Sequence, residues 1–131
     1  MSLVVTKDQE ILAGTLAETR PDPVLDDRLG ELIARGQAAR ALGQQITLRQ
    51  VEGLEPGAAA SIRKLVTSPL NQDTTELALT AMGTAGTDLS DQNAAARAHA
   101  FLLTRSGTIA GGSSQVLRNI IAERLLGLPR D

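Results

Sequence analysis

Cysteine, tryptophan and tyrosine are all absent from this chain of 131 residues, and Phe101 is its one aromatic residue. Without cysteine there are no disulfides and no thiolate ligands, and the single His99 has only carboxylates with which to build a metal site, so none is expected. The near absence of aromatics removes any platform for stacking bases. A surplus of one charge is missing too: 13 basic and 15 acidic residues intermix to a formal net charge of −2, leaving no basic stripe for a phosphate backbone. Nucleic acid is therefore not an expected partner. Long apolar runs are also lacking. The longest uncharged stretches, Ser106 to Leu117 and Leu77 to Thr87, are short and broken by Gly, Ser and Thr, so no membrane span is expected. The Met1 to Lys7 segment has neither a basic leader nor an apolar run and reads as no signal peptide, and cytoplasmic location is the expectation.

What remains is a chain that is 42% hydrophobic and must build its core from Leu, Ile, Val and Ala. A single domain over residues 1–131 is expected. No β alternation of useful length and no internal repeat is found, whereas five stretches carry helix start and stop signals. The fold class is all-α, a four-helix up-and-down bundle with an additional short N-terminal helix.

The short first helix opens on a Thr6/Gln9 capping box, carries Ile11, Leu12 and Leu16, and is stopped by Pro21. A long second helix starts at Asp22 as N-cap with Pro23 in its first turn and stops at Gly53. Its positions Leu25, Leu29, Leu32, Gly36, Ala39, Gly43 and Ile46 alternate steps of four and three, a seam for a nearly parallel neighbour. Because glycine costs about 1 kcal/mol against alanine inside a helix, Gly36 and Gly43 predict a close helix approach there. A third helix starts near Glu55-Pro56 and runs to Gly83 and Gly86, with Pro69 expected to kink or split it. A fourth runs from Ser90 or Asn93 to Arg105 before Gly107, and a fifth from the Ser113 cap to Gly127-Leu128-Pro129. Val116, Leu117, Ile120, Ile121 and Leu125 give the fifth helix so wide an apolar face that it must be sandwiched between neighbours or subunits.

The turn Gly111-Gly112-Ser113-Ser114, opening that last helix, places unpaired backbone N–H groups and the positive end of a helix dipole together. Two readings follow from physics: a plain helix cap with glycines for the turn, or a site for an anion or a polarised carbonyl. The surrounding run Thr108-Ile-Ala-Gly-Gly-Ser-Ser-Gln-Val-Leu-Arg-Asn-Ile-Ile-Ala-Glu-Arg-Leu-Leu-Gly-Leu-Pro-Arg130 resembles the closing signature of the acyl-CoA dehydrogenases. Ala60-Ser-Ile-Arg-Lys-Leu65, Leu70-Asn-Gln72 and Glu76-Leu-Ala-Leu-Thr-Ala-Met-Gly-Thr-Ala-Gly86 are similar to the preceding long helix and its glycine end. Together the resemblance covers about Asp22 to Asp131.

This resemblance implies the C-terminal bundle of a flavin-dependent α,β-dehydrogenase of acyl-CoA thioesters, with the N-terminal helical and middle β domains of that family not represented. It implies a backbone contact from Gly111 to the thioester carbonyl, FAD-facing positions at Gly112, Ser113 and Gln115, and a glycine turn at Gly83, Thr84 and Gly86 that meets the FAD of a neighbouring subunit. Gly111 also stands where many members carry the proton-abstracting glutamate, so no catalytic side chain is assigned, and neither Glu10 nor Glu18 is nominated in its place. Thr80 replaces the glutamine that often opens the glycine turn, and of the Arg-x-x-Phe-Gly element only Arg20 is present; both departures argue against strong FAD retention by this chain. Self-association as a dimer or tetramer is implied, and the chain alone is expected to be inactive. The alternative is a stand-alone helical oligomerisation or scaffold module without chemistry. Elsewhere, His99 reads as a surface or interface histidine, Arg118, Glu123 and Arg124 as a solvated face, and Asp26-Asp27 as charges at a helix N-terminus.

Overall fold

The computed structural model describes Leu12, residues 22–54 and residues 58–130. Among them are four helices, α1 (Pro23–Val51), α2 (Ala59–Ala81), α3 (Gln92–Arg105) and α4 (Ser114–Arg124), with 3₁₀ turns at Gly83–Thr87 and Ser106–Thr108. No strand occurs among the described residues, and the architecture is the all-α bundle expected. Helix α2 is its centre and packs against α1, α3 and α4. No helix among the described residues is long and apolar enough to cross a membrane.

Local chemistry sets the ends of α1. Asp22 Oδ1 accepts from the Val24 N–H at 2.9 Å and the Leu25 N–H at 3.4 Å, while Pro23 sacrifices only an N–H that would have had no helical acceptor. At the other end Gly53 turns left-handed (φ 74°), the Gly53 N–H returns to Gln50 O and the Leu54 N–H to Arg49 O. That pair of bonds is a Schellman motif, and it needs the positive φ that glycine adopts without a Cβ clash. Between these ends Leu32, Gly36, Ala39, Gly43 and Ile46 are buried, the four-three seam read from sequence. Leu32 and Ala39 meet Leu70 and Leu77 of α2 and Leu12, with Leu25, Leu29, Ala78 and Ala81 closing the edges. Leu70 and Leu77 are both 0% exposed, each removing about 2–3 kcal/mol of apolar surface from water.

Several expectations are corrected. Among the described residues a Cβ on Gly43 would meet nothing within 4 Å, so none of the described helices presses on that position. Pro69 does not split α2; the helix stays continuous across it, at the cost of the N–H that Leu65 O would have accepted. Regular helix in α2 begins at Ala59, with Ile62 N–H donating to Ala58 O, and Glu55-Pro56 lie outside the described residues. Asp91, lying between the two expected starts, caps α3 by accepting from Ala94 N–H at 2.8 Å. Ser90 is diverted, donating its hydroxyl to Asp88 Oδ1 at 2.6 Å. In α4 Leu117 is the one buried residue, while Val116 (50% exposed) and, just past its end, Leu125 (53%) face outward, so the described helices do not cover its apolar face. Of the first expected helix, only Leu12 is described; it is helical and buried, and Thr6, Gln9, Glu10, Ile11, Leu16, Glu18, Arg20 and Pro21 lie outside the described residues.

Candidate functional site

The contact between α2 and α3 is polar. Thr75 and Thr104 hydroxyls lie 3.0 Å apart, Gln72 Nε2 donates to Thr104 O at 3.2 Å, and Arg105 meets Glu76 at 3.4 Å. Arg105 also stacks its guanidinium 4.0 Å from the centroid of Phe101, so the single aromatic of the chain is used to cover a cation rather than to fill the core. On the α1 side Arg35 pairs with Asp73 at 2.8 Å, and these half-exposed pairs set helix register more than they add stability. Together they hold the 3₁₀ turn Ser106–Thr108, and with it the chain that follows, at a defined height on α2.

That chain is the glycine turn. Ala110 N–H donates to Ser106 O at 2.8 Å and Gly112 N–H to Ile109 O at 3.2 Å. Gly111 and Gly112 then take φ values of 70° and 106°, conformations that L side chains rarely adopt. Ser113 ends the turn as the N-cap of α4, its Oγ accepting from the Val116 N–H. The hydrogen bonds among the described residues leave the Gly111 N–H without an acceptor. From α2, Lys64 reaches across and donates through Nζ to Ala110 O and to Gly112 O, the latter at 2.7 Å. Lys64 was not singled out from sequence. No local pattern marks a lysine whose acceptors lie 46 and 48 positions away.

Of the positions proposed from sequence, the structure gathers Gly111, Gly112 and Ser113 in this turn, with Gln115 exposed in the first turn of α4. Gly83, Thr84 and Gly86 lie elsewhere, at the far end of α2, where Gly83 (φ 56°) and Thr84 are exposed. At 1.5 Å per residue, the length of chain from Lys64 to Gly83 puts the two turns about 28 Å apart along α2. Gly86 is buried, and a Cβ there would sit 3.2 Å from Leu79 Cδ1 and O and 3.3 Å from Met82 Cβ, a tight fit that glycine avoids. His99 is exposed, and no cluster of metal-ligating side chains occurs among the described residues.

The described residues thus form an all-α bundle with a glycine turn opening its last helix. The family model for "Acyl-CoA dehydrogenase, C-terminal domain" matches residues 12–126, and the chain belongs to that family. Acyl-CoA dehydrogenase FadE34 of Mycobacterium tuberculosis is 40% identical over 121 residues, 92% of this chain and 16% of that protein. Acyl-CoA dehydrogenase IpdE1 of the same organism is 34% identical over 112 residues, 84% of this chain and 28% of that protein. The chain thus spans well under half the length of these relatives. A solved structure described as an FAD complex of PigA shares the fold, with a TM-score of 0.81 over 95% of this chain and 33% of that one at 18% identity.

Proposed function

We propose that this chain is the C-terminal helical domain of an FAD-dependent dehydrogenase that introduces an α,β double bond into acyl-CoA thioesters. The exposed Gly111 N–H, on a turn gripped from α2 by Lys64, carries this reading. A fixed backbone donor of that kind hydrogen-bonds a thioester carbonyl and stabilises the enolate that forms as the α-proton leaves. Gly111 has no side chain to act as the proton acceptor, so another residue supplies that group. Gly112, Ser113 and Gln115 would line one flavin edge; when bound, FAD supplies the hydride acceptor. The exposed backbone of Gly83 and Thr84 suits a second flavin contact. With the two turns about 28 Å apart along α2, a single chain does not enclose one flavin with both of them, which fits contacts to different copies of the cofactor.

Two further statements belong to this reading. The chain alone is inactive and retains FAD poorly, and it self-associates through the outward apolar residues of and around α4. A cytoplasmic location accompanies it. The deciding experiment is to combine the purified chain with the N-terminal helical and middle β domains of an acyl-CoA dehydrogenase. A yellow assembly whose flavin bleaches on adding acyl-CoA supports the proposal, and an assembly that binds neither flavin nor acyl-CoA refutes it. The rival, a scaffold module, predicts stable self-association with no flavin uptake under any combination.

A further inference from the structure

We propose that Lys64 is a positioning residue that aims and polarises the Gly111 N–H for thioester activation; this rests on the reading of Gly111 as the thioester donor. In a trans peptide the C=O and N–H point in opposite directions. Ala110 O and the Gly111 N–H belong to one such peptide, as do Gly112 O and the Ser113 N–H. By drawing Ala110 O and Gly112 O towards α2, the Lys64 Nζ turns both N–H groups away from α2, to the open side of the turn. An ammonium bond to an amide oxygen is charge-assisted, and it polarises the amide so that its own N–H becomes a stronger donor.

A purely structural role accounts for less. The bond to Ala110 O is exposed and that to Gly112 O only partly buried, so water would serve these carbonyls equally well. Water supplies neither the direction nor the charge. A glycine pair at φ 70° and 106° has the most backbone freedom to lose, and an ammonium bridging the carbonyls on either side of it is the one cross-helix restraint on it among the described residues. Two of the three ammonium protons are thereby used, so Lys64 acts through the turn and not by touching substrate.

The test compares wild type, Lys64→Met and Lys64→Arg. In the chain alone, Lys64→Met lowers the NMR order parameters of the Gly111 and Ser113 amides while the melting curve confirms a folded bundle. In the flavin-loaded assembly with the other two domains, Lys64→Met lowers kcat roughly 10- to 100-fold with little change in KM. The carbonyl stretch of a bound acyl-CoA analogue moves back towards its value in free solution, and Lys64→Arg recovers part of both. Wild-type kcat and carbonyl stretch in Lys64→Met overturn the proposal. Should the wild-type assembly show no acyl-CoA-dependent flavin reduction, it is the functional reading that fails; unchanged order parameters in Lys64→Met then overturn the role of Lys64 separately.

Discussion

Gln72 on α2 donates from Nε2 to both the carbonyl of Thr104 at 3.2 Å and the hydroxyl of Thr108 at 3.3 Å, tying the end of α3 to the centre of the bundle. One amide thus satisfies a helix-terminal carbonyl and anchors the 3₁₀ turn that leads to Gly111. Replacing it by leucine removes both bonds, while Thr104 O keeps the Ser106 N–H, so the loss is about 0.5–1.5 kcal/mol per bond. Thermal melts should show Gln72→Leu melting several degrees below wild type, while Gln72→Glu, which retains an acceptor but loses the donor, is no better.

Two helix-associated glycines should respond to alanine with opposite sign. Gly86→Ala forces a Cβ into Leu79 and Met82, and overpacking of this sort costs about 1–3 kcal/mol. Gly43→Ala meets nothing within 4 Å in the middle of α1, so the gain in helix propensity of about 0.5–1 kcal/mol is realised. Urea denaturation of both variants reads the signs directly.

Placing a glutamate at position 111 should lower activity rather than raise it. Gly111 holds φ at 70°, where a side chain with a Cβ carries a cost of roughly 1–2 kcal/mol, and the same Cβ would stand 3.6 Å from Lys64 Nζ. Gly111→Glu is expected to melt lower than wild type and, assembled with the N-terminal helical and middle β domains of an acyl-CoA dehydrogenase, to let acyl-CoA bleach the flavin more slowly than the wild-type assembly does. Acyl-CoA oxidation at or above the wild-type rate would show that the turn rearranges freely.

The Asp88–Ser90 pair makes one segment acid-sensitive. The hydroxyl of Ser90, then its backbone N–H, holds the Asp88 carboxyl below its ordinary value of 3.8. A depressed folded pKa means the stabilisation is present above the unfolded value and is lost as pH falls through the folded one. Between the 3₁₀ turn Gly83–Thr87 and α3, the backbone should therefore loosen only in strongly acidic solution. Asp88→Asn removes that dependence, which NMR titration of the Ser90 amide would register.

Leu125 and Val116 supply the test of assembly. Both are at least half exposed, so Leu125→Glu should leave the stability of a monomer nearly unchanged. Sedimentation velocity should show it shifting the chain from oligomer towards monomer. A wild-type chain that sediments as a compact monomer at high concentration removes the need for the partner surface.

Much of the fold was legible because helix ends are written locally. Asp22, Pro23, Gly53 and Ser113 act on backbone groups within a few positions of themselves, and the four-three spacing of Leu32, Gly36, Ala39, Gly43 and Ile46 needs only the pitch of a helix. The glycine turn was equally visible in its residues. Misreadings came where a residue had several possible neighbours. Gly43 looked like a close approach until the space around it was known, and Ser90 looked like a cap until it turned to Asp88.

By itself the sequence determined the all-α class, the order of the helices, the family and the position of the Gly111-Gly112 turn. Only the tertiary structure decided that Lys64 grips that turn, that Gln72 ties down the end of α3, that a Cβ on Gly86 would crowd Leu79 and Met82, and that the two glycine turns stand at opposite ends of α2. The division has a physical cause. Caps and periodicity act over one or two turns of backbone, whereas a lysine meets a carbonyl 46 positions away only once core packing has set the rotation and register of one helix against another.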